Sequence, residues 1–388
     1  MGYITNDPLK HEKKQSNLSA NDQSAVKQPT KRLTFAEYLW LDGHQPIQQL
    51  RSKSKVINLP LKPVITDFPI WRFDGSATKQ AHNEESECVL KPIRVYRDPF
   101  HNDDQGLGDR YLILCEVQDS AGNTHYTNHR ARLYSAIRTA GEEITPQFEY
   151  QQRYTLLSDT HLSDNNLSDN NLSDNNALDR DSSDRRNRVQ PTHHESSSYC
   201  GVGHQRVFGR DIAEAHASAC IRAGVLLNST HAEKTPGEWA FQIGNHSNGE
   251  QDDPLASTDD VWLSRYLLHR IGEQFGVTIL LDVTHSAPPL KVNFSTAFTR
   301  DPRCGLSALR VLVNALLPSR NEGTEMNFIS QGPYAKESTL TVDHSNGIRI
   351  PDSVIQQGHG YLEDWRMHPS NDPYIIGKSL MDAILKLS

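Results

Sequence analysis

The chain has 388 residues, of which 36% are hydrophobic and 23% are charged, and its formal net charge is −8 at pH 7. This composition fits one large or two ordinary soluble domains. It excludes collagen-like material, and no apolar run approaches the ~18 residues that a transmembrane helix needs. The acidic balance provides no basic field for phosphate backbones, so we expect no nucleic-acid partner and no membrane association.

The five cysteines lie far apart and never stand in CxxC spacing. Neither a disulfide framework nor a thiolate zinc site is indicated. The chain also lacks an N-terminal apolar segment of the kind that directs secretion. These features predict a reducing, cytoplasmic compartment.

Two low-complexity stretches separate the predicted domains. Residues 1–33 are crowded with Lys, Gln, Ser and Asn and are predicted to be a disordered tail. Residues 157–197 include three tandem Leu-Ser-Asp-Asn-Asn units and are predicted to be a solvated insert, with a short pentapeptide-repeat solenoid as the alternative. We therefore predict an N-terminal domain at 34–142 and a larger domain at 143–388 that the insert interrupts.

The predicted N-terminal domain is rich in strands. Short β-prone runs at 64–71, 93–96 and 111–117 are separated by Gly, Asp, Asn and Pro. The stretch 128–139 has helical character and ends before Gly141. A strand-rich domain closed by one helix is the expected arrangement.

The predicted larger domain mixes helices with strands. Helices are expected at 211–223 and 257–275, the second starting with Ser257 and Asp260 as a capping box. The chain has neither the GxGxxG turn of a dinucleotide fold nor the GxxxxGK[ST] of a P-loop. The whole pattern predicts an α+β fold in which one sheet carries helices on one side. The strands expected in this domain are 239–243, 277–283 and 347–350.

Both predicted domains contain short motifs that carry the clearest functional signal of the sequence. The N-terminal motifs are Tyr38-Leu-Trp-Leu-Asp-Gly43, Trp71-Arg-Phe-Asp-Gly-Ser-Ala-Thr78 and Asp98-Pro-Phe100. The later ones include Pro236-Gly-Glu-Trp239, Asn293-Phe-Ser-Thr296 and Gly360-Tyr-Leu-Glu-Asp364. In sequence and in order these motifs resemble those of eukaryotic-type glutamine synthetases. The resemblance covers nearly all of both predicted domains.

This resemblance implies a β-grasp-like N-terminal domain, a larger catalytic-type α+β domain, and rings of subunits with active sites between neighbours. The implied reaction uses ATP to phosphorylate the γ-carboxylate of glutamate, after which ammonia displaces the phosphate. Two or three Mg²⁺ or Mn²⁺ ions neutralise the charge of carboxylate and triphosphate in such a reaction. ATP and a divalent metal are therefore the implied cofactors.

Four of the six implied metal-ligand positions carry other residues. The family's Glu-x-Glu pair before Tyr-Thr-Leu corresponds to Gln151 and Arg153, and alternation along a strand puts both on one face. Ala240 stands in place of a Glu, and Lys291 stands in place of a His. The remaining carboxylates are Glu233 and Glu363, so the sequence predicts weak metal binding.

The resemblance also implies roles for residues outside the metal positions. Asp74 and Glu337 match catalytic positions. Arg366 matches the second arginine of a substrate-binding Arg-Arg pair, and Trp365 stands in place of the first. A turn at Asp74 and a packing role for Tyr361 remain alternative interpretations. The residues that match ATP contacts are Asn293, Ser295, Arg349 and Tyr361.

Two hypotheses follow from these positions. The first is a glutamine synthetase homologue with impaired or no catalysis that acts through assembly, as a homo-oligomeric ring or with an active glutamine synthetase. The second is an active glutamate–ammonia ligase, or a related ATP-dependent carboxylate–amine ligase with an altered substrate. An assay for ATP-dependent ligation distinguishes them.

Overall fold

The computed structural model describes nine segments of the chain. Within them, no helix is long and apolar enough to cross a membrane. Glu337 and most of the predicted insert at 157–197 lie outside the described residues. The described segments are 31–81, 86–101, 109–158, 198–203, 206–244, 253–281, 288–317, 347–366 and 371–387.

The first part of the chain forms a five-stranded sheet of order β2-β1-β5-β4-β3. The central strands β1 and β5 are parallel, and the other pairs are antiparallel. Tyr38 and Ile113 are buried on one face of the sheet, while Leu39 and Leu114 are buried on the other. Both faces of the central strands are therefore covered. The strands are β1 (Arg32–Leu41), β2 (Leu50–Leu59), β3 (Trp71–Asp74), β4 (Glu87–Arg97) and β5 (Tyr111–Asp119).

A second sheet follows, with strand order β11-β12-β10-β6-β8-β7, and β9 pairs with the end of β6. The long strand β6 pairs antiparallel with β8, β9 and β10, so it is the centre of the sheet. The strands are β6 (Gln147–Ser158), β7 (Leu227–Ala232), β8 (Glu238–Ile243), β9 (Val277–Leu280), β10 (Leu290–Ser295), β11 (Ile348–Arg349) and β12 (Leu362–Asp364).

Helices cover one face of the second sheet through a large shared core. Tyr154 and Phe241 on this sheet belong to the same buried cluster as Leu263 and Leu267 of α3. The predicted α+β fold with helices on one side of the sheet is confirmed. The helices in the described residues are α1 (His129–Ala140), α2 (Arg210–Ala223), α3 (Ala256–Phe275), α4 (Ala297–Arg300), α5 (Gly305–Leu316), α6 (Asp352–Gln357) and α7 (Pro373–Leu385).

Two local predictions were wrong. The strand expected at 64–71 is instead a 3₁₀ turn at Ile65–Asp67, because the Asp67 side chain accepts a hydrogen bond from the Val64 amide over 2.8 Å. The capping box expected in α3 is absent, since the helix begins at Ala256 and both Ser257 and Asp260 lie buried within it. In each case an aspartate accepts a hydrogen bond that the local sequence pattern does not indicate: Asp67 accepts from Val64, and Asp260 accepts from Tyr96.

Buried ion pairs connect the first sheet and α1 to α3. Arg130 of α1 donates from Nε and a terminal nitrogen to the two oxygens of Asp259, over 2.8 and 2.9 Å. Tyr96 of β4 donates to Asp260 over 2.9 Å, and the Leu226 amide donates to the other oxygen over 3.1 Å. Burial raises the pKa of Asp260 to about 6, although these hydrogen bonds and Arg94 oppose the rise. The first sheet and α1 are thus joined to α3 by polar as well as apolar contacts.

Candidate functional site

One face of the second sheet is polar across six strands, and we call it the polar face. Gln151 lies directly opposite Lys291 on β10 and Gln242 on β8, and Asn293 lies opposite both Glu149 and Glu363. Directly paired residues share a face, because side chains alternate along each strand. The polar face consists of Glu149, Gln151, Arg153, His231, Ala240, Gln242, Lys291, Asn293, Ser295, Arg349 and Glu363.

The carboxylate of Glu233 lies just beyond β7 and is bound by Arg153. The Arg153 Nε donates to Glu233 Oε1 over 2.7 Å, and a terminal nitrogen donates to the carbonyl of Pro288 over 3.1 Å. Burial alone would raise the pKa of Glu233, but the His231 hydrogen bond and the Arg153 charge lower it below its usual range. Glu233 is therefore an ionised carboxylate with a permanent cation beside it.

Glu363, the second carboxylate at an implied metal position, is bound by two cations. Lys291 Nζ lies 3.2 Å from Glu363 Oε1, and Arg349 Nε donates to Oε2. The ring of Trp365 lies near both: its centroid is 4.5 Å from Arg349 Cζ and 5.5 Å from Lys291 Nζ. Glu363 itself is buried. Both oxygens of this carboxylate thus accept hydrogen bonds from cationic side chains.

Glu149 is a third buried carboxylate on the polar face, and the sequence reasoning missed it. Its two oxygens accept from Asn228 over 2.7 Å and from Asn293 over 2.8 Å. Glu149 stands two residues before Gln151, so strand alternation was a signal that could have found it. The contact also fixes Asn293, whose buried Oδ1 has no hydrogen-bond partner within the described segments.

Two further residues with implied ATP roles lie close to these groups. The Ser295 hydroxyl accepts from Arg300 over 2.9 Å and is fully buried. Tyr361 is half-buried, and burial followed by the nearby charges of Glu363 and Glu149 raises its pKa. Asn293, Ser295, Arg349 and Tyr361 are therefore brought together with Glu363.

The remaining predicted residues lie elsewhere. Asp74 ends β3 in the first sheet, where its exposed carboxylate accepts from the Ser76 amide and hydroxyl over 2.9 and 2.7 Å. These hydrogen bonds lower its pKa. Arg366 binds both oxygens of Asp364, which points to the sheet face opposite Glu363. The structure thus does not bring Asp74 or Arg366 to the polar face of the same chain.

The donor set of the polar face suits a divalent metal poorly. Hard cations such as Mg²⁺ need several oxygen ligands that are free to coordinate. Here Glu233 and Glu363 accept from Arg153, Lys291 and Arg349, and Ala240 offers no ligand atom. Among the residues that the structure describes, no group of three or more His, Cys, Asp or Glu could hold a metal ion.

Comparison with known proteins matches this architecture to one fold class. Residues 32–120 match the family described as glutamine synthetase, beta-Grasp domain, which confirms the nature of the first sheet. A solved glutamine synthetase of Plasmodium falciparum superposes with a TM-score of 0.60 at 14% identity, covering 91% of this chain and 71% of that one. The fold is therefore that of a glutamine synthetase.

Sequence relatives establish the family. The chloroplastic glutamine synthetase of Chlamydomonas reinhardtii is 32% identical over 386 residues, covering 90% of each chain. A glutamine synthetase of Streptomyces viridochromogenes is 34% identical over 372 residues, covering 90% of this chain and 97% of that one. The chain belongs to the glutamine synthetase family, as its motifs predicted.

Proposed function

We propose that this chain is a glutamine synthetase homologue in which metal-dependent ligation is impaired or absent, and that it acts through assembly with other chains. The family reaction joins glutamate and ammonia with ATP. One observation supports the impairment: Glu233 and Glu363, the carboxylates at the implied metal positions, form ion pairs with Arg153 and Lys291, which stand where the resemblance implies metal ligands.

The physical reason is charge repulsion. A guanidinium stays protonated at every physiological pH, so Arg153 cannot become a neutral ligand. A unit positive charge about 4 Å from a divalent cation costs several kcal/mol even at an effective dielectric near 20. Both surviving carboxylates are already neutralised, so a metal entering this site would have to displace their cations. The charges on the polar face are therefore balanced without a metal.

The direct test is an assay for ATP-dependent γ-glutamyl hydroxamate formation and ADP release, with Mg²⁺ and with Mn²⁺. An active glutamine synthetase serves as the positive control, and reactions without ATP give the background. We expect no product above that background. Ligation would contradict the proposal and establish the alternative of an active ligase, whose substrate a panel of amines and carboxylic acids would then define.

Assembly is supported by apolar residues on the surface of the first sheet. Leu33 of β1 and Val56 of β2 are diagonal neighbours on one face and are 68% and 61% exposed. Val64 and Ile70, between β2 and β3, are 60% and 55% exposed. Contact with another chain would remove these apolar side chains from water. We propose that this surface contacts another chain, either a second copy or an active cytoplasmic glutamine synthetase.

A further inference from the structure

Two lysines of the first sheet share one indole ring. Lys53 and Lys55 of β2 stand two residues apart and therefore point to the same face of the strand. Their Nζ atoms lie 3.9 and 5.0 Å from the centroid of the Trp71 ring on β3. Because β2 and β3 are the two edge strands, the sheet curls until its edges approach each other. We call Lys53, Lys55 and Trp71 the lysine cluster.

Neither ammonium group of the lysine cluster is neutralised. Within the described segments, no carboxylate lies within ion-pair distance of Lys53 or Lys55. Lys53 Nζ donates instead to the backbone carbonyl of Arg72 over 3.2 Å, and the ring of Phe73 lies 5.6 Å away. Trp71 attracts both ammonium groups, but an uncharged ring does not cancel the repulsion between them. Lys53 is therefore a half-buried cation beside a second cation.

The other titratable groups around Lys53 supply no counter-charge. Tyr38 of β1 lies directly opposite Lys53, and burial raises the pKa of its hydroxyl. Cys115 of β5 is buried as well, which raises the pKa of its thiol well above the usual value. Both groups are therefore uncharged at neutral pH. Arg51, the next cation on this face of β2, is already paired with Asp42.

The surroundings of Lys53 are those of an activated amine nucleophile. A lysine amine is activated where it is desolvated or where it stands next to another cation, and Lys53 meets both conditions. Burial first, and then the charge of Lys55, lower the pKa of Lys53, while Cys115 opposes this change. A larger fraction of Lys53 is thus neutral, with a free lone pair, than of a lysine in water.

We propose that Lys53 is an acylation site that takes an acyl group from an acyl phosphate. The lone pair of Lys53 Nζ attacks the carbonyl carbon, the bond from that carbon to the phosphate oxygen breaks, and phosphate leaves with the electron pair. The nitrogen releases a proton to water, so the products are a neutral amide and free phosphate. Lys55 attracts the anionic donor and stabilises the phosphate as it leaves. The rings of Trp71 and Phe73 offer apolar surface to the bound acyl group.

The lysine cluster is separate from the polar face and from the apolar residues that we propose to contact another chain. Side chains alternate along β2, so Val56 lies on the opposite face from Lys53 and Lys55. Acylation removes one of two like charges from the first sheet and leaves the second sheet unchanged. Acylation of Lys53 therefore neither requires ligation nor excludes it.

The experiment incubates the full-length protein with acetyl phosphate and follows the acetylation of each lysine by mass spectrometry over a range of pH. We expect Lys53 to react at least about fivefold faster than Lys378 at neutral pH. Lys378 is the internal reference, because it forms an ion pair with Asp382 on α7. The rate at Lys53 should also level off at a lower pH than the rate at Lys378, since its amine is neutral at lower pH.

Variants of the neighbouring lysine test the cause of the reactivity. Lys55→Gln removes the adjacent charge and should slow the acetylation of Lys53 by about threefold or more. Lys55→Arg keeps that charge and should leave the rate close to that of the native protein. Lys378→Gln is the control and should not change the rate at Lys53. Circular dichroism and thermal unfolding verify that each variant is folded.

Preferential acetylation of Lys53 that Lys55→Gln slows and Lys55→Arg preserves supports the proposal. A native Lys53 that reacts no faster than Lys378 overturns it, and so does an unchanged rate in Lys55→Gln. Equal slowing in Lys55→Gln and Lys55→Arg overturns it too, because the charge of Lys55 would then not be what activates Lys53.

Discussion

The guanidinium of Arg153 donates to the carboxylate of Glu233 over 2.7 Å, so that β6 and the end of β7 are joined by an ion pair across β8. Both side chains are largely buried. In this chain a carboxylate that the family resemblance assigns to a metal is held by an arginine. The pair has become part of the structure of the sheet.

Removing Arg153 should destabilise the protein. Arg153→Leu leaves Glu233 as a buried carboxylate without its cation, and we expect the free energy of unfolding to fall by about 3 kcal/mol. The double variant Arg153→Leu with Glu233→Leu should recover much of this loss, because no charge remains unpaired. Urea denaturation at neutral pH measures both. The control Arg303→Leu breaks a surface pair and should change stability by less than about 1 kcal/mol.

Divalent metal should bind weakly and at low stoichiometry. The family resemblance implies that only Glu233 and Glu363 remain at the metal positions, and Arg153 and Lys291, which form ion pairs with them, oppose the charge of an incoming ion. Calorimetric titration of the chelator-stripped protein with Mn²⁺ should give no tight two-site isotherm, whereas an active glutamine synthetase treated in the same way should. Two or more micromolar sites per chain would contradict this reading of the polar face.

Asp260 should make stability depend on pH between about 4 and 6. Burial raises its pKa from an ordinary 3.8 to about 6, so the folded protein holds this proton more tightly than the unfolded chain. Its contribution to stability is complete below about pH 3.8 and is lost as the pH rises through 6. A shift of about two units corresponds to about 3 kcal/mol.

The variant Asp260→Asn isolates this effect. It keeps an oxygen that can accept from the Leu226 amide and carries no charge at any pH. Its stability relative to the native protein should therefore increase from pH 4 to pH 6 and level off above. Urea denaturation at half-unit steps measures the difference. A difference that does not change over this range would show that Asp260 does not titrate there.

Strand alternation predicted part of the polar face correctly from sequence. It put residues 151 and 153 on one face, and the register of β6 with β8 and β10 bears this out. The partners of the cations could not be predicted in this way. Whether Arg153 reaches Glu233 and Lys291 reaches Glu363 depends on which distant strands pair and in which register, and local patterns carry no such information.

The capping prediction failed for a related reason. The spacing of Ser257 and Asp260 indicates a local cap, yet Asp260 accepts from Tyr96, which lies 164 residues earlier in the chain. The buried Tyr96 hydroxyl and the Leu226 amide each donate to one oxygen of this carboxylate, and burial makes such contacts worth more than an exposed cap. Long-range contacts of this kind decide the role of a polar residue after the sheet and helix have packed.

The full-length chain should assemble into rings, alone or with an active glutamine synthetase. Val56 of β2 and Ile70, which precedes β3, are exposed apolar residues that a partner could cover, and an interface that is not self-complementary closes into a ring when its rotation divides a full turn. Native mass spectrometry and light scattering, with and without the active relative, should detect the assembly. The double variant Val56→Glu with Ile70→Glu should shift the distribution toward monomer, since buried charges without partners weaken an interface. Ile221→Glu is the control, because Ile221 is 68% exposed on α2, outside this sheet. A native chain that stays monomeric under both conditions would contradict a role through assembly, because its apolar surface would then have no partner of this family.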